Sequence, residues 1–563
     1  MDRIKICALG GLDENGRDCY IVEINDDMFV VDAGSLVPDK NMPGIDVVLP
    51  NATYIIENKN RLKAYIITHG HDENMSALKY FYFKAPAPIY CTFSTSQVAK
   101  GQAAIHHKEI NNANIVLVNP NDTVEIAGHT IELFQTFHNA ANSFGVCFKT
   151  DRGNIIYSSD YIIDFSMTDQ QYQFGFDKLY KIAKNPTLLL MSESKTANKE
   201  GYCSPRHRLL DKMRKHFEEP KRIYVSCFWQ NAYRIMEIFK LIKETNRKVY
   251  FYDEYTRVVM NQLINSDIGI HIKDEDIVSK EDFVRIPKQQ MVILIVGQSY
   301  NIYDEIRYIC EGINPDSRIK INPDDIFING ASPSVSQEAK ATDCLDSLYR
   351  TGCKVVWFDS KSVAPMHAYQ DDIKVLLTTL RPMYYLPVRG TYSKMMDNAK
   401  IALSMNIGLN HMNVFILDNG MQLCFDDKSP RPIIIPNEVN KIDLTPMLVD
   451  GTGVSDYSSQ IVDERQKLSV DGAVVIAATV SKSKKAIVAG PDCQMRGFVF
   501  LKEAEPLLKS ITQIFLDEIN TAISQNDFTF ENAKEQIIER SSKFIKRDNG
   551  REPLITPIVV VLD

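Results

Sequence analysis

The segment THGHDEN, residues 68–74, constrains the fold more than any other part of this sequence. It follows the apolar run LKAYII directly, so a predicted strand ends at Thr68 and the turn behind it carries His69 and His71. Two imidazoles on one short turn suit a zinc ion, which takes nitrogen ligands at ~2.0–2.1 Å in a tetrahedral array. A lone pair of histidines is more often incidental. A metal site therefore requires a fold that brings further ligands to the same strand end.

Three other polar residues stand where apolar runs end. His138 closes FQTFH, Asp160 closes IIYSSD and Glu193 closes LLLMSE. Ligands and catalytic groups in α/β proteins gather at strand ends that face one crevice. Each residue alone is commonly just the polar terminus of a strand. Their order and spacing together predict one shared site.

Length and composition limit the organisation of the chain. With 563 residues, the chain is too long for one core at the usual domain size of ~100–200 residues. Its hydrophobic content of 44% is typical of globular proteins. No apolar run approaches the ~20 residues of a membrane helix, and the N-terminus MDRIKICALGG lacks the apolar core of a signal peptide. We therefore expect a cytoplasmic protein without membrane contact.

The cysteines and the net charge narrow the functional classes. The eleven cysteines, from Cys7 to Cys493, include no CxxC pair, which argues against a disulfide framework and against cysteine-ligated zinc. We expect reduced, mostly buried thiols. The net charge of −8 requires a local basic patch for any nucleic acid, because the overall field repels phosphate. The net negative charge therefore argues against nucleic-acid binding but does not exclude it.

Short apolar runs separated by turns dominate the first part of the chain and predict sheet-rich α/β structure, with helices only after His71 and Phe93. From about Arg206 to Val355 helices alternate with strands such as RIYVSCF and MVILIVG, which predicts an inserted domain. The prolines and charges of DDKSPRPIIIPNEVNK predict a linker. Behind it, DGAVVIAATVSK, RGFVFLK, an amphipathic helix over about 504–525 and PLITPIVVVLD predict a small α/β unit.

Motifs along nearly the whole chain occur in the order of one known family. They are ALGGLDENGRDCYIVEI, VVDAGSLVPDKNMPGIDVVLPN, ITHGHDEN, TFHNAANSFGV, SSDYIID, LLLMSES, APMHAYQDD, YYLPVRGTY, VDGTGVSD and RGFVFLK. The chain resembles the ribonuclease J family of metallo-β-lactamase nucleases, and within it the divergent second paralogue. The resemblance implies an α/β chain, built as a metallo-β-lactamase αββα sandwich with an inserted β-CASP domain and a small α/β C-terminal domain.

The resemblance and the sequence pattern together predict the domain boundaries. The metallo-β-lactamase domain is expected in residues 1–205 and 356–430, interrupted by the β-CASP domain in residues 206–355. Residues 431–449 are expected to form the linker. Residues 450–563 are expected to form the C-terminal domain.

The resemblance implies one intact ion site. In the family, one ion is held by the two histidines of HxH, by the histidine of a later motif and by a bridging aspartate. These positions fall on His69, His71, His138 and Asp160, a nitrogen-rich set suited to Zn²⁺ or Mn²⁺. We expect one divalent ion per chain.

The ligands of the family's second ion are changed. The family pattern HxHxDH places Glu73 where an aspartate is usual and Asn74 where a histidine is usual, and the family's PVHGE is PVRGT, with Arg389 in place of a histidine. Glu73 remains a candidate ligand with a shifted reach. A guanidinium has no acceptor atom and would repel an ion. We expect an empty second site, with Arg389 aimed into it as an ion-pair partner of Glu73 and Asp160; the alternative is that Arg389 turns to solvent.

The resemblance also assigns catalytic and substrate-binding positions. The catalytic positions are Asp160, Glu193, a glutamate where the family usually has aspartate, and His367, which opens the family's HAS loop. The substrate-binding positions are His367, Tyr369, Arg389 and Gly297. Tyr369 replaces the serine of the HAS loop, so its ring would stack on a base or fill the pocket. In VGQSYNI, which resembles the family's TGSQGEP, Gly297 is kept and Tyr300 replaces a glycine.

Three functions are consistent with these residues. The first is a ribonuclease of reduced power that acts on RNA in the 5′ to 3′ direction or internally. The second is an inactive subunit that binds and supports an active ribonuclease J paralogue. The third is a small-molecule hydrolase, against which the inserted domain and the C-terminal unit argue.

We expect two kinds of partner, RNA and a second protein chain. The chain would be a second copy, giving a homodimer, or a ribonuclease J paralogue, giving a hetero-oligomer. The C-terminal unit and the first domain are expected to make the contact. The reason is that EAEPLLKSITQIFLDEI and PIVVVLD have apolar faces that need a partner.

Overall fold

The structure, a computed structural model, describes residues 1–38, 42–105, 113–298, 301–334, 337–450, 453–455, 459–497 and 504–563. These residues form two compact units. The first comprises residues 1–36 and 49–446, and the second comprises residues 37–48 and 447–563. Within the described ranges, no helix is long and apolar enough to span a membrane.

The strands, in chain order, are β1 (Ile4–Gly10), β2 (Cys19–Ile24), β3 (Asp27–Val31), β4 (Val47–Leu49), β5 (Leu62–Ile66), β6 (Ile89–Cys91), β7 (Ile115–Leu117), β8 (Thr123–Ile126), β9 (His129–Gln135), β10 (Phe144–Phe148), β11 (Asn154–Tyr157), β12 (Thr187–Glu193), β13 (Ile223–Phe228), β14 (Lys248–Phe251), β15 (Met291–Gly297), β16 (Ile326–Asn329), β17 (Lys354–Trp357), β18 (Tyr384–Val388), β19 (Gln422–Phe425), β20 (Ile433–Ile435), β21 (Met447–Asp450), β22 (Gly453–Ser455), β23 (Ala473–Ser481), β24 (Ala486–Arg496) and β25 (Leu554–Leu562).

The helices, in chain order, are α1 (Thr53–Glu57), α2 (Asp72–Met75), α3 (Leu78–Phe81), α4 (Phe93–Ile105), α5 (Phe176–Ile182), α6 (Leu210–Phe217), α7 (Ala232–Glu244), α8 (Glu254–Ile264), α9 (Ile302–Glu311), α10 (Glu338–Arg350), α11 (Gln370–Leu380), α12 (Tyr392–Ser404), α13 (Asn437–Asn440), α14 (Ser459–Val470), α15 (Ala504–Ser524) and α16 (Glu531–Asn549).

Two sheets of the first unit pack face to face. One has the order β20-β19-β1-β2-β3-β5-β6-β7, and the other has the order β18-β12-β11-β10-β9-β8. Their inward side chains form one apolar cluster, in which the rings of Tyr20 and Tyr157 lie 5.0 Å apart and those of Phe29 and Phe148 lie 5.3 Å apart. Because side chains alternate between the two faces of a strand, the apolar residues of each strand point into the layer between the sheets.

The strand directions in the second of these sheets place four strand ends at one edge. β11 pairs in parallel with β12, and β12 pairs in parallel with β18. β10 is antiparallel to both β9 and β11, so β9 runs in the same direction as β11. Residues that follow β9, β11, β12 and β18 therefore emerge at the same edge of the sheet.

A third sheet lies in the segment predicted as an insertion. Its five strands have the order β14-β15-β13-β16-β17, and all neighbours are parallel. Helices cover both faces: α7 packs in the cluster on one face, and α9 and α10 pack in the cluster on the other. Burial on both faces explains why β13 and β15 are almost continuously apolar.

The second unit is built on a three-stranded sheet with the order β24-β23-β25. α15 and α16 pack on one face of this sheet, where Phe515, Ile519 and Ile537 are fully buried. A second small sheet has the order β22-β21-β4. α15 confirms the amphipathic helix predicted over about 504–525.

Several elements differ from the sequence predictions. In the first part of the chain, α1 and α5 are helices outside the two segments, after His71 and Phe93, where helices were predicted. The predicted linker contains β20, which pairs with β19 at the edge of the eight-stranded sheet because the run Ile433–Ile435 can supply backbone hydrogen bonds there. α16 was not predicted, since its charged sequence conceals a narrow buried stripe of Ala533, Ile537, Ser541 and Ile545 at four-residue spacing. Most of the predicted strand RGFVFLK lies outside the described residues. The eleven cysteines are free, and nine of them are buried, as predicted.

Candidate metal centre and active site

Five strand ends from the two facing sheets meet at one place. The turn after β5 carries His69 and His71, and α2 starts directly behind it. The ends of β9, β11 and β12 carry His138, Asp160 and Glu193. β18 ends immediately before Arg389. The local sequence accounts for each placement, because every one of these residues follows or ends an apolar strand.

His69, His71, His138 and Asp160 form a compact set of four possible ligand atoms. The Nδ1 atom of His71 lies 3.1 Å from Nε2 of His69 and 3.3 Å from Nε2 of His138. Oδ2 of Asp160 lies 3.6 Å from Nε2 of His69 and 3.4 Å from Nε2 of His138. Ligands bound tetrahedrally at ~2.0–2.1 Å would be about 3.3–3.4 Å apart. These four distances match that spacing, and all four ligand atoms lie within 4.8 Å of one another, so the set can hold one ion.

The condition of these side chains also fits an ion. His69, His138 and Asp160 are completely buried, and neither carboxylate oxygen of Asp160 has a hydrogen-bond partner in the described part of the chain. Burial lowers the pKa of His71 to about 4 and lowers those of His69 and His138 well below their usual range. Neutral imidazole is the form that binds a metal. Oδ1 of Asp160 is paired with Arg389, whereas Oδ2 lies against the neutral imidazoles of His69 and His138, where a divalent cation would match it.

Each ligand histidine is oriented through its other ring nitrogen. Nδ1 of His138 donates to the Met366 carbonyl at 2.6 Å, and Nε2 of His71 donates to the Gln230 carbonyl at 3.1 Å. Nδ1 of His69 lies 3.0 Å from the Thr68 hydroxyl, which donates to Asp32 at 2.9 Å. Such outer hydrogen bonds fix the ring orientation of metal ligands. Two of them come from the segments around β13 and α11, far along the chain.

Arg389 fills the place predicted for a second ion. Its side chain is 1% exposed and forms ion pairs with Asp18, with Asp160 at 2.5 Å from Nε, and with Glu73 at 3.4 Å from Nη2. Nη1 of Arg389 also lies 3.4 Å from Oδ1 of Asn74. The interpretation of Arg389 as an inward ion-pair partner agrees with this geometry, and the solvent-facing alternative does not.

The residues around Arg389 do not fit a second ion. Both ends of the Asn74 amide are engaged, because its Nδ2 donates to Asp32 at 2.8 Å while its oxygen faces Arg389. Glu73 is held by Arg389 and by Nζ of Lys195, also at 3.4 Å. Burial raises the pKa of Glu73, but the Lys195 ammonium, the nearby histidine rings and a backbone hydrogen bond outweigh it and lower the pKa to about 2. Glu73 thus acts as the anion of an ion-pair network.

Glu193 and His367 form a second buried pair beside Asp160. Nδ1 of His367 donates to Oε2 of Glu193 at 2.8 Å and lies 3.8 Å from Oδ2 of Asp160. Oε1 of Glu193 accepts from the backbone N–H groups of Tyr161 and Ala368. Asp160, Glu193 and His367 also group as possible metal ligands, but the donors to Glu193 occupy its oxygens. The arrangement instead directs Nε2 of His367 away from Glu193.

Tyr369 does not fit its predicted substrate-binding role. Its ring is 4% exposed and packs in the apolar cluster with α11, so it is not available to stack on a base. The larger ring has filled the space that a serine would leave open, which was the alternative at the sequence level. Gly297 ends β15, and its carbonyl accepts from the N–H of Trp229. Its role in substrate binding stays a prediction, and Tyr300 lies outside the described residues.

Three site residues were missed from the sequence. Asp18 and Asp32 are completely buried, and burial raises the pKa of Asp32 to about 7 against the hydrogen bonds from Thr68, Asn74 and Tyr157. Lys195 follows β12 and contacts Glu73. A signal was present in each case. Asp32 ends an apolar strand, Asp18 stands directly before one, and Lys195 stands two residues beyond Glu193.

Comparisons with known proteins agree with this fold. Residues 460–562 match the Ribonuclease J C-terminal domain. Ribonuclease J2 of Bacillus subtilis (strain 168) is 27% identical over 561 residues, which cover 99% of both chains. Ribonuclease J 2 of Staphylococcus epidermidis (strain ATCC 12228) is 28% identical over 559 residues, which cover 99% of this chain and 98% of the relative.

A solved structure, described as a protein of unknown function from Enterococcus faecalis V583, is similar in fold with a TM-score of 0.52 and 14% identity. The similarity covers 75% of this chain and all of the other. The α/β fold class predicted from the sequence is confirmed by the sheets and by these matches. The C-terminal domain match, together with similarity over almost the full length to proteins named ribonuclease J 2, supports a member of the ribonuclease J family, resembling its second paralogue.

Proposed function

We propose that the chain is a ribonuclease J-type RNA-processing protein with a one-ion centre and weak phosphodiester hydrolysis. The observation that carries the proposal is the contrast between two neighbouring positions. The four candidate ligands of one ion are present and lie close together, while Arg389 occupies the neighbouring position beside Asp160. The relatives named ribonuclease J 2 support RNA as the substrate. Hydrolysis from the 5′ end is the primary mode implied by the family resemblance, and internal cleavage is the second mode.

In this proposal, His69, His71, His138 and Asp160 hold one Zn²⁺ or Mn²⁺ ion. Such an ion would supply a Lewis acid and lower the pKa of a water molecule. Asp160 also holds Arg389 against the site through its other oxygen. Glu193 fixes the His367 ring through Nδ1, which leaves Nε2 to contact a phosphate oxygen or hold a proton.

Loss of the second ion explains why weak activity is proposed. Two-metal phosphodiesterases place one ion against the attacking oxygen and one against the leaving oxygen of an in-line displacement. Arg389 is a fixed cation that is already paired with Asp18 and Asp160, so it offers less charge to the leaving oxygen. Activity lower by orders of magnitude than that of a two-ion enzyme follows from this difference.

The alternative function is an inactive subunit that binds and supports an active ribonuclease J paralogue. One observation favours it: Arg389 is buried and satisfied by carboxylates, as expected of a structural replacement for an ion.

Restoring the two changed ligands distinguishes these functions. The double substitution Asn74→His with Arg389→His should raise RNase activity by about 100-fold or more if the RNA channel is intact. Single substitutions serve as controls, since neither alone completes a second ion site. No rise in activity, with two ions bound in the double variant, would support the inactive-subunit alternative.

Elemental analysis of protein purified without chelator tests the ion count. One zinc or manganese ion per chain is the expected result. Two ions would contradict the proposal, because Arg389 and a second ion cannot share one position. A metal-free protein that also fails to bind added zinc would favour the inactive subunit.

A further inference from the structure

A second basic side chain accompanies Arg389 in this centre. Lys195 follows β12, and its Nζ lies 3.4 Å from Oε1 of Glu73. The same oxygen lies 3.4 Å from Nη2 of Arg389. The two residues come from neighbouring parallel strand ends, and the backbone N–H of Ser194 donates to the Arg389 carbonyl at 3.0 Å. One carboxylate thus joins two cations.

The charges of this group resemble those of a two-ion centre. Asp18, Glu73, Asp160 and Glu193 are the carboxylates around the two positions. Lys195 and Arg389 together carry two positive charges, which is the formal charge of one divalent ion. With an ion at the histidine site, these cations balance the carboxylates as two divalent ions would. The two basic residues are therefore an electrostatic equivalent of the missing ion.

Lys195 and Arg389 differ in whether they can contact a ligand from solvent. Arg389 is 1% exposed, and its donors point at buried carboxylates. The Lys195 side chain is 28% exposed, and Glu73 is the only group to which its ammonium donates in the described ranges. An ammonium has three N–H donors, so two remain for another acceptor.

We propose that Lys195 binds a phosphodiester oxygen of RNA beside the histidine site, while Arg389 neutralises the buried carboxylates behind it. Together they replace the second ion in two separate tasks, substrate contact and internal charge balance. The inference rests on the proposed function, because it takes RNA as the ligand. The competing role for Lys195 is purely internal, as a counter-ion of Glu73.

Binding of a labelled single-stranded RNA oligonucleotide to the full-length, zinc-loaded chain tests this role. Lys195→Gln should weaken RNA binding about tenfold. It should also make the slope of log binding constant against log salt concentration shallower by about 0.7, the contribution of one phosphate contact in a single strand. Lys195→Arg keeps the cation and should retain most of the affinity. Lys59→Gln removes an equal charge at an exposed position and should change little.

A neutral linkage in the RNA separates the two roles of Lys195. A series of RNAs is made, each with a single methylphosphonate linkage at a different position. At one position the neutral linkage should weaken binding to the wild-type chain but should not weaken binding to Lys195→Gln. Equal losses in both proteins at every linkage would overturn the inference and leave RNA binding intact. Failure of the wild-type chain to bind RNA would overturn the proposed function itself. Melting curves and zinc content of each variant show whether the fold is retained.

Discussion

Arg389 adopts a backbone conformation that residues other than glycine rarely use, with φ at 53°. Asp32 and Ser159, with φ at 60° and 56°, share this left-handed region within the same centre. Each such residue costs about 1–3 kcal/mol and persists only where surrounding contacts fix it. The ion pairs of Arg389 and the hydrogen bonds of Asp32 are contacts of this kind. The strain is therefore concentrated where the side chains must converge.

Removal of the Arg389 side chain should destabilise the protein. Arg389→Ala leaves Asp18 and Asp160 as buried, uncompensated carboxylates, so we expect the free energy of unfolding to fall by about 3–5 kcal/mol in urea titrations. Arg431→Ala, at an exposed position, is the matched control. Nuclease activity should be no better than in the wild type. Recovered activity with excess metal would show that Arg389 only blocks a site whose other ligands suffice.

His207 gives a pH-dependent prediction outside the metal centre. Burial lowers its pKa to about 3, despite the nearby Asp164, so the folded state keeps the ring neutral while the unfolded state protonates near pH 6.5. Stability is therefore lost as the pH falls below about 6.5. His207→Phe should remove this loss, since the ring packs between Phe137 and Tyr233.

The size of this effect follows from linkage. Between pH 6.5 and 5.5 the wild-type free energy of unfolding should fall by up to about 1.4 kcal/mol more than that of His207→Phe, in urea titrations of both proteins. Parallel pH profiles for the two proteins would show that His207 is already charged in the folded state.

At the scale of elements, the loop between β13 and α7 connects the inserted segment to the metal centre. The Gln230 carbonyl accepts from His71, and the Gln230 side chain donates to Asp72 at 2.9 Å. Gln230 therefore contacts two neighbouring residues of the HGHDEN turn. Through this loop, the position of the inserted segment bears on the orientation of a ligand histidine.

Truncation of Gln230 should weaken ion binding. Gln230→Ala keeps the carbonyl but frees the loop from Asp72, and outer-sphere changes of this kind typically cost 10–100-fold in metal affinity. We expect about tenfold, measured by competition of the protein with a chromophoric chelator for zinc. Gln290→Ala, an exposed glutamine in the same inserted segment, is the control. An unchanged zinc affinity would mean that the carbonyl alone orients His71.

The strand ends were predictable because they are local. An apolar run that stops at His138, Asp160 or Glu193 identifies both the strand and the residue that stands at its end. The partners of Arg389 were only partly predictable: Glu73 and Asp160 were expected, whereas Asp18 lies before β2 and meets Arg389 only through pairing within the fold. The role of Tyr369 could not be predicted from the sequence, because a tyrosine in place of the family's serine could either fill the pocket or line it, and only its burial in the structure decides between the two.

At the scale of the whole molecule, one face of the second unit is open and apolar. α15 and α16 cover one side of the sheet β24-β23-β25. On the other side Val475, Ile558, Val560 and Leu562 are each about two-fifths to one-half exposed. Adjacent exposed apolar side chains of this kind predict an interface. β25 is also an edge strand of its sheet.

We therefore expect the full-length chain to self-associate, or to pair with a ribonuclease J paralogue, through this face. The double substitution Ile558→Glu with Val560→Glu places charge on the exposed face without entering the core under α15, so it should lower the association constant while leaving the melting temperature nearly unchanged. Sedimentation velocity at micromolar concentration, alone and with a co-expressed paralogue, measures the effect. Val284→Glu, an exposed valine in the inserted segment, controls for added charge. A wild-type chain that sediments as a single monomer under both conditions would show that the face is covered by neither partner.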